Sequence, residues 1–97
     1  MNKNDILDYL KEHKSYYLNR FGIEFIGIFG SYAKDSANEN SDIDILYRIK
    51  GGSLSLFKYL KIKATLEEYF KKRVDLVREE ILKESLKKYI QKDIEYV

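Results

Sequence analysis

Two groups of residues in the first half of the chain could bind a charged substrate. Gly30 and Ser31 follow an apolar run, and Asp42 and Asp44 stand a short loop further on. Glycine lets a backbone approach a ligand closely, and free N–H groups at the start of a helix attract anions. Two carboxylates spaced two residues apart on a strand share a face, with Cα atoms roughly 6.6 Å apart, and can bind one cation or bridge two. The pattern predicts a site for a metal–nucleotide.

Taken separately, each group has an ordinary structural explanation. A Gly-Ser pair is common in turns, and Asp-x-Asp is common on solvated edge strands. A third acid, Asp75, changes the balance because it interrupts the aliphatic run from Val74 to Val77. A carboxylate is unexpected there unless its strand lies beside the strand of Asp42 and Asp44 and directs it to the same site. Three carboxylates favour two Mg²⁺ ions, with Asp42, Asp44 and Asp75 as metal ligands and catalytic residues.

The elements that must position these residues follow from apolar periodicity and from turn residues. Asn4 is the expected N-cap of the first helix, and Ser53 is expected to cap the helix that follows the second strand. Strand 42–49 would begin at the aspartates, with Ile43 facing the core. Helices are predicted for residues 5–20, 31–37, 54–70 and 79–93, strands for residues 23–29, 42–49 and 73–77, and an extended tail for residues 94–97.

Composition restricts the class of protein. Ninety-seven residues predict a single domain spanning 1–97, and 44% hydrophobic with 35% charged residues is typical of a soluble globular chain. No apolar run approaches the ~20 residues that cross a bilayer, and no signal peptide follows Met1, so we expect a cytoplasmic protein without a membrane partner. A net charge of +2 argues against a nucleic acid as the direct partner. With no cysteine and one histidine, His13, the expected metal ligands are oxygens.

The motifs together resemble those of the minimal nucleotidyltransferases (MNT) of the DNA-polymerase-β-like superfamily. The resemblance rests on Gly30-Ser31-x-Ala33, on Ser41-Asp42-Ile43-Asp44 and on the run around Asp75, and it extends over essentially the whole chain. It implies an α/β (α+β) nucleotidyltransferase fold, a small mixed β-sheet flanked by helices. It also implies that Gly30 and Ser31 bind the triphosphate of ATP, and that Asp42, Asp44 and Asp75 hold Mg²⁺.

Chains of this size in the family resemble the MntA-type antitoxins, whose partner is a HEPN-domain RNase toxin. The implied activity is transfer of AMP from Mg·ATP to a toxin tyrosine, which neutralises the toxin. The alternative is a non-catalytic, nucleotide-binding antitoxin that masks the toxin by direct binding, with exposed tyrosines as its interface. The sequence departs from the family pattern at Asp35, where glycine is usual. We expect the Asp35 side chain to point to solvent.

Overall fold

A four-stranded β-sheet forms the centre of the computed structural model, which describes all residues from 1 to 97. Its strand order is β3-β2-β1-β4. Strand β1 pairs antiparallel with β2 and β4, and β2 pairs parallel with β3, so the sheet is mixed. The strands are β1 (Ile23–Phe29), β2 (Ile43–Ile49), β3 (Val74–Arg78) and β4 (Glu95–Tyr96). The helices are α1 (Lys3–Glu12), α2 (Lys14–Phe21), α3 (Gly30–Ala33), α4 (Leu56–Phe70) and α5 (Glu84–Gln91), with a 3₁₀ turn at Glu79–Ile81.

The main hydrophobic core lies between one face of the sheet and helices α1, α2 and α4. Side chains alternate between the two faces of a strand, so every second residue of β2 enters this core. The buried side chains from the sheet include Phe25, Ile28, Ile43, Ile45 and Tyr47, and those from the helices include Ile6, Leu10, Tyr17, Ile62, Leu66 and Phe70. Helix α5 covers the opposite face, where Ile90 is its one buried residue.

The single N-terminal helix expected for residues 5–20 is two helices. Helix α1 begins at Lys3 because Asn2, and not the expected Asn4, is the N-cap: its side chain accepts a hydrogen bond from the Asp5 N–H, and the Asp5 carboxylate accepts one from the Asn2 N–H. His13 lies between the two helices and separates α1 from α2. Its ring stacks on Tyr9 at 4.1 Å between centroids and contacts the Tyr9 carbonyl through Nδ1.

The strands and the long helix lie close to their predicted positions. Strand β1 has the predicted bounds, whereas β2 and β3 each begin one residue later than expected. Asp42 therefore precedes β2 rather than lying within it. Helix α3 is shorter than predicted and ends at Ala33, and α4 is capped by Ser55 rather than Ser53. Tyr69 shares the helical spacing of the buried residues Ile62, Leu66 and Phe70, but its side chain is 60% exposed.

The prediction of one helix over residues 79–93 is also wrong. The chain is extended at Leu82 and Lys83, which separates the 3₁₀ turn from α5. Three apolar residues of this segment, Ile81, Leu86 and Tyr89, are exposed. The tail is extended as expected, and it adds a short edge strand, β4, to β1. None of the helices combines the length and the apolar character needed to cross a membrane.

Candidate functional site

The three acids meet at one edge of the sheet. Asp44 in β2 and Asp75 in β3 are directly paired in the parallel register, and Asp42 immediately precedes β2. The same edge contains the end of β1, where Phe29 pairs with Asp44 and Gly30 follows. The topology therefore brings the predicted acids and the Gly-Ser pair together.

Asp44 and the α5 helix lie on the same face of the sheet. Ile43 and Ile45, the neighbours of Asp44 in β2, are fully buried in the main core. Because side chains alternate between the two faces of a strand, Asp44 points to the opposite face. On that face Leu46, the next residue to point the same way, lines a cavity together with Ile90 of α5. The candidate site is therefore at the edge of the α5 face.

The Asp44 carboxylate lies in an unfavourable electrostatic environment. Burial, followed by the charges of Asp75 and then Asp42, raises its pKa from 3.8 to about 6. Both effects oppose the ionised form, because water is removed and like charges are close. A cation at this position would reverse the effect, since it stabilises the ionised carboxylates.

Gly30 is the contact point between the end of β1 and the acids. Its φ of +74° favours glycine, and a Cβ at this position would collide with Oδ2 of Asp44. The residue is therefore needed both for its backbone conformation and for the space its missing side chain leaves. Ser31 lies half-buried in the first turn of α3, next to this contact.

Asp42 contacts a basic residue, Arg73, from the segment just before β3. Arg73 Nε lies 3.2 Å from Asp42 Oδ1, and the Arg73 side chain is 81% exposed. Arg73 immediately precedes β3, and its carbonyl accepts a hydrogen bond from the Ile43 N–H at 2.9 Å. The parallel pairing of β2 and β3 is thus what places Arg73 beside Asp42.

Asp35 is exposed and forms an ion pair with Lys3. Its φ is +58°, a conformation that glycine adopts freely and that aspartate tolerates better than most residues. Its carboxylate is 64% exposed and lies 3.2 Å from Lys3 Nζ, which also contacts Glu95. The expectation that Asp35 points to solvent agrees with this placement.

The donor chemistry at the site suits Mg²⁺. The acids supply only oxygen ligands, and the pKa of Asp44 is raised first by burial and then by the charges of Asp75 and Asp42, both of which a bound cation would offset. They do not form a ready-made cluster of three metal ligands. Magnesium at nucleotide sites is commonly held by one or two carboxylates together with substrate phosphates, so such a cluster is not required.

A cavity beside Gly30 is lined in part by residues of and after α5 that no sequence motif indicated. Leu86, Tyr89 and Asp93 line it from the α5 side, and Lys34 lines it from the end of α3. Leu86 and Tyr89 belong to the apolar spacing that predicts a helix over residues 79–93. The lysines on both sides of Leu86 and Tyr89 were compatible with a surface position, but no motif connected α5 with Gly30.

The chain belongs to the polymerase beta nucleotidyltransferase family, whose model matches residues 4–97. Among individual relatives, the protein adenylyltransferase MntA of Thermococcus cleftensis is 38% identical over 93 residues, which cover 96% of this chain and 93% of that protein. The family assignment confirms the resemblance that the motifs indicated.

Solved structures share the fold. A chain assigned as a minimal nucleotidyltransferase aligns with a TM-score of 0.77 and 28% identity, covering 100% of this chain and 97% of the other. A toxin–antitoxin structure with AMP-PNP aligns at 0.70 and 24% identity, covering 99% and 72%. A complex of tri-AMPylated Shewanella oneidensis HEPN toxin with MNT antitoxin aligns at 0.60 and 22% identity, covering 98% and 67%. The nucleotidyltransferase fold expected from sequence is therefore confirmed.

Proposed function

We propose that this chain is an antitoxin that transfers AMP from Mg·ATP to a tyrosine of a HEPN-domain RNase toxin and thereby neutralises the toxin. The observation that carries the proposal is the direct pairing of Asp44 with Asp75 beside Gly30, at the edge of a nucleotidyltransferase sheet. The adenylyltransferase named among its relatives supports AMP as the transferred group. The neighbouring structures with a HEPN toxin and with an ATP analogue support the partner and the donor.

In this proposal, Gly30 and Ser31 bind the phosphates and the three acids bind the metal ions. The backbone N–H groups that follow Gly30 would bind a phosphate, and the Ser31 hydroxyl would donate a hydrogen bond to a phosphate oxygen. Asp42, Asp44 and Asp75 would hold two Mg²⁺ ions. When bound, Mg²⁺ neutralises developing charge on the phosphates and lowers the pKa of the attacking hydroxyl. Because the Asp44 carboxylate is disfavoured when ionised, it gains more from a cation than an exposed aspartate would.

The reaction is an in-line displacement at the α-phosphate. The tyrosine oxygen forms a bond to the α-phosphorus while the bond from that phosphorus to the pyrophosphate oxygen breaks, so pyrophosphate leaves with the bonding electrons. Asp75, which pairs with Asp44 in β3, would accept the tyrosine proton. Positioning both oxygens in line is the main contribution that the fold makes to the rate.

Mass spectrometry of the toxin tests the proposal. Incubation of the chain with its HEPN partner, ATP and Mg²⁺ should add AMP to a toxin tyrosine, and the toxin should lose RNase activity. Asp42→Ala together with Asp44→Ala should lower the rate of transfer by at least about 100-fold, the scale of losing a group that stabilises a transition state. Asp8→Ala, which removes an exposed acid from α1, is the matched control and should leave transfer unchanged.

Masking without chemistry gives a different result. In that case the double aspartate variant would still inhibit the RNase, and the toxin would carry no added AMP. Absence of AMP on the toxin with the unsubstituted chain would reject the transferase activity.

A further inference from the structure

Two depressions flank the candidate site, and their linings differ. One runs past Asp42 toward the basic residues 71–73, and it has no hydrophobic residue in its lining. The other is a cavity of about 240 Å³ beside Gly30, and α5 contributes Leu86, Tyr89 and Ile90 to it. A ligand with an apolar, planar part has a matching surface only in the second depression.

The second depression, called here the α5 cavity, lies on the same face of the sheet as Asp44. Phe29 lines it and pairs directly with Asp44, and paired residues of neighbouring strands point to the same face. Gly30 belongs both to this cavity and to the contact with the Asp44 carboxylate. A molecule with its phosphates at Gly30 could therefore enter the α5 cavity without crossing the sheet.

Tyr89 gives the cavity an aromatic wall. Its side chain is 64% exposed although it lines the cavity, and its ring is stacked on no other aromatic ring of the chain. Lys34 and Asp93 add one charged group of each sign to the lining. An exposed ring beside aliphatic side chains and a few polar groups is the usual lining of a site for a planar ligand.

We propose that the α5 cavity receives the nucleobase of the donor nucleotide and that the ring of Tyr89 stacks on this base. The inference rests on the proposed function, since it assumes a nucleotide whose phosphates lie at Gly30. It assigns to α5 a contact with substrate, and it explains why an apolar residue of this helix remains on the surface. Aromatic stacking accepts any base, so Tyr89 contributes affinity for the base and not selection among bases.

Nucleotide binding by the whole chain of residues 1–97 tests the inference. Calorimetric titration in Mg²⁺ would compare ATP with inorganic tripolyphosphate, which has phosphates and no base. Tyr89→Ala should raise the Kd for ATP on the order of 10-fold, the size of one base–aromatic contact, and should leave the Kd for tripolyphosphate unchanged. Tyr89→Phe should retain the affinity for ATP because the ring remains. Phe57→Ala is the matched control, since Phe57 is an aromatic residue, 76% exposed, on α4.

The outcomes separate the inference from the proposed function. If Tyr89→Ala binds ATP as tightly as the unsubstituted chain, the base does not stack on Tyr89 and the inference is overturned. If Tyr89→Phe loses as much affinity as Tyr89→Ala, the ring is not the contact, and the inference is again overturned. If the unsubstituted chain binds neither ATP nor tripolyphosphate, the proposed function fails, and the inference fails with it.

Discussion

At the scale of single residues, Asp44 and Gly30 depend on each other. The Asp44 carboxylate lies against the backbone at Gly30, and any larger residue at position 30 would occupy its place. Burial and neighbouring acids disfavour the charge that Asp44 would need in order to bind a cation. An aspartate kept in such a position at a cost in stability is typical of a functional site.

The pH dependence of stability should reveal that cost. The pKa of Asp44 is about 6 in the folded chain against 3.8 as the ordinary value, so the folded state binds more protons between these values. Stability is therefore lost as pH rises through this range, and the full penalty is present above about pH 6. In metal-free buffer, Asp44→Asn should be more stable than the unsubstituted chain at pH 8, by about 1 kcal/mol for a half-buried group. The two should be equally stable at pH 4.

Urea unfolding at pH 4, 6 and 8 measures this difference. Asp8→Asn, at an exposed position on α1, should show no such pH-dependent gain. A constant difference between Asp44→Asn and the unsubstituted chain at all three pH values would contradict the assigned environment of Asp44.

Replacement of Gly30 by alanine should damage the site as well as the fold. Gly52 provides a matched control because it has a similar φ, +72°, and open space around it, whereas a Cβ at Gly30 meets the Asp44 carboxylate. Gly52→Ala should cost about 1 kcal/mol for the left-handed backbone alone. Gly30→Ala should cost more and should also abolish Mg·ATP binding. Equal unfolding free energies for the two variants, with binding retained, would show that Asp44 is free to move away.

At the scale of elements, the local sequence predicted the bounds of a helix or strand best where burial in the core alone determines the apolar pattern. Strand β1 and helix α4 end at their expected positions because both bury apolar side chains in the main core, and this burial sets their apolar patterns. The break at His13 was not visible, since the residues on both sides of it keep a helical apolar period while the His13 ring packs on Tyr9. The sequence also did not show that residues 79–93 form a 3₁₀ turn and a separate helix, α5. Apolar residues of α5 keep a helical spacing although they line a cavity and not a filled core.

The candidate site was predictable because one of its acids violates a local pattern. An acid within the aliphatic run of β3 predicted that another acid of the site lies on the neighbouring strand, and Asp44 of β2 is paired directly with Asp75. The residues on the α5 side of the site break no local sequence pattern, since Leu86 and Tyr89 have the spacing of an ordinary amphipathic helix. Only the return of α5 along the sheet places them near Gly30.

The pairing of β4 with β1 depends on another glycine. A Cβ at Gly27 would collide with the Glu95 carbonyl oxygen, so Gly27→Ala should displace β4. We expect a loss of stability on the order of 1–3 kcal/mol. Hydrogen exchange of the Val97 amide, which donates to the Ile26 carbonyl at 2.9 Å, should become faster. Gly51→Ala, where the nearest atom would be 3.8 Å away, should leave this exchange rate unchanged. Unchanged protection of Val97 in Gly27→Ala would contradict the tight β1–β4 contact.

At the scale of the whole molecule, the site is attached to elements from all parts of the chain. Its residues come from β1, α3, β2 and β3, and α5 returns to the same edge before β4 completes the sheet. A ligand that contacts these elements together binds only the folded chain. Ligand binding should therefore stabilise the entire fold and not one loop.

Thermal unfolding should report this coupling. With Mg·ATP at 100 times its Kd, stability should rise by about 2.7 kcal/mol, which corresponds to roughly 10–20 °C in Tm for a domain of this size. Chelation of Mg²⁺ with EDTA should remove most of the shift, because Asp42, Asp44 and Asp75 would then repel the phosphates. The double variant Asp42→Ala and Asp44→Ala should respond alike with and without Mg²⁺, since it lacks the carboxylates that hold the ion. A full Tm shift for the unsubstituted chain in EDTA would show that the acids are not part of the nucleotide site.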